Sequence, residues 1–307
     1  MSVVKVTKKR IYSPKIRQLD IPMKIAYLAS QITIPSSPHR RGDAFEHDFM
    51  MESLRKAESA EVTDISWDDD IDFSQFDAAI IGTCWDYQDR FAEFLKKLTL
   101  IDRQTLLLNP LALIGWNADK SYLKDLEDSG TPIIPTLFID NPGPADLDKA
   151  FQHFQCEKLV VKRQVGASAE GQSLIHQNDL FPHFNRPMML QPFMPAISSE
   201  GEISFIFIGG TFSHAVLKRP ADGDYRIQSS YGGQESMINP PASDIEAARN
   251  TLSRFETPPL YARVDMLRGE DGILLIMELE LIEPYLYPEQ CPELGGKIMG
   301  AIRKMLS

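Results

Sequence analysis

The chain has 307 residues, 43% apolar and 24% charged, the proportions of an ordinary globular protein with room for two or three modest domains. Its 32 lysines and arginines against 43 acids leave a formal charge of −11, which excludes a phosphate backbone as the main partner but leaves small anionic ligands open. Cys84, Cys156 and Cys291 show no CxxC spacing, so a disulfide framework or zinc site is not expected and a reducing cytoplasm is. No apolar run approaches the roughly 20 residues of a membrane span.

Residues 1–22 are basic and lack the apolar stretch of a secretory signal, so they read as an extension or peripheral arm. From Met23 strand-like runs alternate with helical patterns: KIAYLAS (24–30), a helix near 43–57, AAIIGT (78–83), a helix near 88–102 and TLLLNP (105–110). The alternation predicts a doubly wound α/β domain over 23–110, with ligands at the carboxyl ends of its parallel strands. TCWDYQD (83–89) follows one such strand, making Trp85, Asp86 and Tyr87 candidate substrate contacts. The two aromatics suit packing against a neighbouring domain equally well.

Beyond Pro110 a helix is expected from Asn117, as N-cap, to Gly130, as C-cap. PIIPTLFI (132–139), a helix from about 145 and KLVVKRQVGASAEGQSLI (158–175) complete a second unit, 111–195. The third unit, 196–307, reads as antiparallel. Its first hairpin, ISFIFIGGTFSHAVLK (203–218), turns at Gly209-Gly210; a helix near 241–255, a second hairpin over 260–283 and a helix near 291–306 follow.

The second hairpin contains GILLIMELELIEPYLY (272–287), an apolar run interrupted by Glu278, Glu280 and Glu283. An ionised carboxylate buried without a partner costs several kcal/mol, so something must neutralise these groups. Alternation puts Glu278 and Glu280 on one face, and a turn centred on GEDG (269–272) sets Arg263 opposite Glu278 with Asp265 diagonal to it. Three carboxylates and a guanidinium on one face suit one or two Mg²⁺ ions bridging to nucleotide phosphate. A surface hairpin with solvated acids is the plain alternative. In VVKRQVGASAEGQ (160–172) a strand delivers Lys162 to a loop of small residues that lets backbone N–H groups approach phosphate. An ordinary hairpin loop explains it as well. MLQPFMPAISSEGEIS (189–204) offers an extended piece, a loop and Glu202, equally readable as a core strand and turn.

Taken in order, these elements resemble the ATP-grasp superfamily of carboxylate–amine ligases across roughly 110–290, and YARVDML…GILLIMELE is the most specific part. WDY…NP…WNADKSYLKDL…GTPIIPT…ELELIEP is similar to the branch of cycloserine-forming, O-ureido-serine cyclo-ligases. The resemblance implies a cleft between two α+β subdomains, ATP with Mg²⁺ (Mn²⁺ as substitute), and phosphorylation of a small carboxylate to an acyl phosphate that a nitrogen nucleophile attacks. In the cycloserine branch that nucleophile closes a ring. Lys120, Lys162 and the loop Gly166, Ala167, Ser168 and Gly171 would hold phosphates, and Gln191, Pro192, Phe193 and Met194 the adenine. Glu202 would take the ribose and Lys218 would reach the nucleotide. Asp265, Glu278 and Glu280 would bind metal, Arg263 would stabilise the transferring phosphoryl group, and Arg226, Tyr231, Gly232 and Gly233 would face substrate. Two departures stand out: Glu280 replaces the usual asparagine, and Arg163 replaces a proline common after the strand lysine. The resemblance further implies small-molecule partners, neither nucleic acid nor membrane, and a homodimer as an open option. A metal-dependent hydrolase or a non-catalytic ATP-binding relative are the competing functions, and the full acid set argues against the latter.

Overall fold

The computed structural model describes residues 22–57, 60–166, 171–221, 223–227 and 232–307. The basic arm up to residue 21, Ala167, Ser168 and Tyr231 lie outside the described residues.

The chain opens with β1 (Met23–Ala29), α1 (Phe45–Lys56), β2 (Ala60–Ser66), β3 (Ala78–Ile81), α2 (Phe91–Gln104) and β4 (Leu106–Leu108). These strands form a parallel sheet in the order β2-β1-β3-β4. β1 and β3 are covered on both faces, which is why they read as unbroken apolar runs. β2 was not anticipated. It is an edge strand, AEVTDIS, whose acids occupy its less buried positions and leave too little apolar pattern to mark it.

Next come α3 (Leu111–Asn117), α4 (Tyr122–Asp128), β5 (Leu137–Ile139), α5 (Pro144–Phe154), β6 (Lys158–Arg163), β7 (Ser173–His176) and β8 (Met188–Pro192). The four strands make an antiparallel sheet in the order β5-β8-β6-β7. The last stretch holds α6 (Ala196–Ser199), β9 (Glu202–Ile208), β10 (Thr211–Arg219), β11 (Gln234–Ile238), α7 (Ala242–Leu252), β12 (Tyr261–Arg268), β13 (Leu274–Glu280) and α8 (Leu294–Leu306). Its five strands are antiparallel in the order β11-β10-β9-β12-β13.

The expected helix from Asn117 to Gly130 is two helices, and Asn117 ends the first instead of capping the second. Its amide is buried and acts as a peptide mimic on β13: Nδ2 donates to Leu279 O (2.8 Å) and Oδ1 accepts from Leu281 N (2.9 Å). Asn109, just after β4, does the same across the molecule. Its Nδ2 donates to Tyr261 O (3.0 Å) and Leu281 O (2.8 Å), while Oδ1 accepts from Leu260 N (2.7 Å). Tyr122 Oη accepts from Leu279 N (2.8 Å). These side chains fix the second hairpin against both the first sheet and the α3–α4 turn.

One core joins the ends of the chain. Ile25, Tyr27 and Ile80 pack with Met50 and Leu54 of α1, Ile206 and Val216, and Ile298 and Ile302 of α8. The two helices approach so closely at Gly295 that a Cβ there would lie 1.9 Å from Ser53 O.

Candidate active site

The site grows from the second hairpin. Arg263 stands opposite Glu280 and Asp265 opposite Glu278, two positions away from the expected Arg263–Glu278 pair. The turn is closed between Gly269 N and Ile273 O (2.8 Å), and a bulge shifts the ladder between Asp265 and Met266. Met266 pairs with Ile276 and Asp265 with Glu278, so Met277 is the extra residue. In a regular ladder Asp265 would pair with Met277, and the two glutamates would turn with Val264 into the apolar core. The bulge therefore puts all four charged side chains on the cleft face.

Internal cations neutralise these acids. Lys218 pairs with Glu202 across β9 and β10; its ammonium lies against Glu202 Oε1 and 3.6 Å from Asp265 Oδ2. Asp265 also accepts a hydrogen bond from Ser204 Oγ and three from Arg263 at 3.0–3.1 Å, and Arg263 reaches on to Glu280. Burial works against ionising Asp265, but Arg263, Lys218 and Ser204 outweigh it and hold its carboxyl below the usual range. Burial pushes Glu202 up to about 7 despite Lys218. It lifts Glu280 to about 7 as well, with Glu278 and Asp265 adding to the rise and Arg263 opposing it. Lys218 and Arg263 stay charged, since their carboxylate neighbours override burial. Glu202 thus belongs to an acid–base chain in the floor of the cleft, fully buried, as well as to its lining.

Among the described residues no three His, Cys, Asp or Glu side chains are gathered as a metal site. Asp265, Glu278 and Glu280 share a face, yet their oxygens point at Lys218, Lys120 and Arg263. The donor set is nonetheless all carboxylate, and burial beside Glu278 and Asp265 holds Glu280 partly neutral. That surplus of negative oxygen fits a hard divalent cation such as Mg²⁺.

The other wall belongs to the β5-β8-β6-β7 sheet. Lys120, between α3 and α4, is tied by its N–H to Gln164 O (2.9 Å); its ammonium meets Glu278 Oε1 (2.9 Å) and the carbonyl of Gly166. Lys162 on β6 also lines the cleft, and burial lowers its pKa against the pull of Glu278 and Glu202. Arg163 runs across Gly171, where φ is +69° and a Cβ would lie 2.3 Å from the guanidinium nitrogen. The residue that departs from the family pattern therefore packs on Gly171, at the end of the small-residue loop.

An apolar slot adjoins the charged floor. Ile134, Ile197, Ile227 and Leu267 form it with Phe193, Met194, Tyr225 and Met277. Phe193 carries the Lys158 ammonium 5.5 Å from its ring centroid, and Gln191 is held by Thr136 (2.8 Å). Pro192 completes the predicted adenine wall. The isoleucines, Leu267 and Tyr225 were not foreseen; they come from segments far apart in the chain.

On the first sheet's side Trp85 and Tyr87 line the cleft, but Asp86 does not. Its carboxylate accepts from Trp67 Nε1 (2.8 Å) and Arg90 (3.2 Å), so it ties the loop down. Arg226 reaches the cleft in a bidentate pair with Asp224, while Gly232 and Gly233 stand outside its lining. Glu46 in the first turn of α1, Glu235, Glu283, Tyr285 and Tyr287 are cleft residues to which the sequence assigned no role. Glu46 follows β1 at the sheet's carboxyl edge, the one signal that points to it.

Residues 25–109 match the family model described as D-cycloserine synthetase DcsG, N-terminal domain. The cycloserine biosynthesis protein DcsG of Streptomyces lavendulae is 30% identical over 250 residues, 74% of this chain and 82% of that protein. The crystal structure of D-cycloserine synthetase DcsG shares the fold with a TM-score of 0.76 at 23% identity, over 92% of this chain and 100% of that one. A D-alanine–D-alanine ligase from Bacillus anthracis complexed with ATP follows at 0.63 and 18%, covering 92% and 97%. The ATP-grasp ligase PsnB, complexed with a minimal precursor variant, Mg and ADP, gives 0.61 and 14%, covering 92% and 98%.

Proposed function

The chain belongs to the ATP-grasp ligases of the DcsG family, enzymes of ATP-dependent carbon–nitrogen ligation, and we propose that it activates a small carboxylate as an acyl phosphate for attack by nitrogen. One observation carries this reading: a single cleft joins the lysines of one sheet to the acid face of another. The substrate carboxylate attacks the γ-phosphorus of ATP and ADP leaves; nitrogen then attacks the acyl carbon, phosphate leaves, and the nitrogen gives up a proton. Lys120 and Lys162 balance the phosphate charge, and the apolar slot around Phe193 takes the base. Asp265, Glu278 and Glu280 would hold Mg²⁺, which supplies further neutralisation of phosphate oxygens when bound. Arg263, held between Asp265 and Glu280, would stabilise the group in transfer.

Ring closure within one molecule is the version the DcsG likeness favours, with O-ureidoserine as the compound to try first. Among the described residues no helix is long and apolar enough to cross a membrane, and we read the protein as cytoplasmic from its free cysteines. Isotope transfer tests the chemistry: substrate labelled with ¹⁸O in its carboxylate is expected to pass one label to inorganic phosphate. Unlabelled phosphate would rule out the acyl phosphate. Turnover with O-ureidoserine as sole substrate supports closure; a requirement for a second amine contradicts it.

A further inference from the structure

The acids of the cleft divide into two sets. Asp265, Glu278, Glu280 and Glu202 are each in ion-pair contact with Lys or Arg. Glu283, three residues beyond β13, is not placed this way. Its Oε2 is shut off from solvent and meets no hydrogen-bond donor, although the side chain lines the cleft. The Gln88 amide bonds to the carboxyl, and the charges acting on it are those of Glu280, Glu46 and Asp86, all acidic. Two of these are engaged elsewhere, Glu280 by Arg263 and Asp86 by Trp67 and Arg90. Glu46, half-buried in the first turn of α1, feels Arg263 but also the repulsion of Glu235, Glu280 and Glu289.

An orphaned carboxylate oxygen on a side chain that lines a cleft, with acids around it, is complementary to a cationic N–H donor that a small side-chain rotation admits. We propose that Glu283 is a specificity-determining residue that receives the protonated amine of the substrate, with Glu46 adding to the field at that end of the cleft. This deepens the ligase reading and rests on it. Burial and neighbouring acids hold this carboxyl well above its usual range, so an incoming ammonium offsets repulsion from Glu280, Glu46 and Asp86. The position also suits the chemistry, because Glu283 lies on the segment that continues directly from the acid strand. A carboxyl kept there only to bond Gln88 would be served equally by an amide, and that difference is measurable.

The experiment compares D- and L-serine with D- and L-glycerate, which carries a hydroxyl in place of the ammonium. Binding is followed by calorimetry on the full chain with Mg²⁺ and a non-hydrolysable ATP analogue. Wild type is expected to bind one serine enantiomer at least tenfold more tightly than the matching glycerate. Glu283→Gln should erase that preference while leaving nucleotide affinity unchanged. Glu46→Gln should reduce it several-fold, which decides the matter if Glu283→Gln fails to fold. Equal binding of serine and glycerate by wild type, including binding of neither, overturns the inference, as does a preference that survives in Glu283→Gln. Failure of wild type to bind the nucleotide overturns the ligase reading and this inference with it; the other outcomes leave the ligase reading standing.

Discussion

His214 is a buried imidazole that the reaction does not use. Nε2 donates to Leu286 O (3.0 Å) and Nδ1 lies 3.0 Å from Ser213 Oγ, which places the proton on Nε2. Burial lowers its pKa to about 4, with Lys297 adding to the fall. The unfolded chain, with an ordinary histidine near 6.5, therefore binds a proton first as pH drops. Stability from this residue is full above pH 6.5 and is lost toward pH 4, on the order of 2–3 kcal/mol. Denaturation of His214→Gln between pH 4 and 7 should lack that acid slope; an unchanged slope would assign it to other groups. Lys162 gives a kinetic counterpart. Burial already disfavours its charge, so the side chain is suited to a phosphate partner. Lys162→Met is expected to raise the KM for ATP at least tenfold with the amine preference intact, as read from initial rates.

At the scale of elements, the hairpin shows what periodicity can and cannot decide. That Arg263 shares a face with Asp265, and Glu278 with Glu280, was legible, because alternation alone requires it within each strand. Their partners were not, since the five-residue turn and the Met277 bulge leave no mark on a pattern of apolar and charged residues. β2 escaped notice for a related reason: an edge strand needs fewer apolar positions than a central one. Asn117 was misread because an asparagine before a helical stretch fits a cap and a buried staple alike. Its two bonds to β13 make a specific prediction. Asn117→Ala strands the buried Leu279 carbonyl and Leu281 N–H, at a cost of about 2–4 kcal/mol. Chemical denaturation of the purified variant measures this, and a loss under about 0.5 kcal/mol would deny the staple its role.

For the whole molecule, the cleft assembles residues that sequence order keeps apart. The hairpin acids, Lys120, Lys162 and Gln191 to Met194 were recognisable as candidates, and they line the cleft, because each sits in a short pattern that a family resemblance can carry. Glu46, Glu235, Tyr225 and Ile227 belong to no such pattern; the sheets bring them together through the shared core of α1, α8 and β9. Their assembly also sets a charge balance with consequences for pH. Glu46, Glu202 and Glu280 are each raised to about 7, chiefly by burial. A carboxyl with a raised folded pKa keeps its proton longer than the unfolded chain does, so stability from these groups falls as pH climbs from 4.5 to 7. The unliganded protein should accordingly melt lower at pH 8 than at pH 6.5, above the window of His214. Mg²⁺ with an ATP analogue should narrow that gap by engaging the acids; a gap of the same size with ligand bound would contradict this.

The most direct measurement of the central claim is substrate-dependent ADP release from Mg²⁺-ATP, screened over amino acids and O-ureidoserine, in wild type and Glu278→Gln. Glu278 is chosen because it faces Asp265 across the hairpin and pairs with Lys120 of the other wall. The expected result is release that depends on one compound and falls at least a hundredfold in Glu278→Gln, with the fold retained. Release at wild-type rates in the variant, or no ATP binding by wild type, would contradict an ATP-dependent ligase centred on this hairpin.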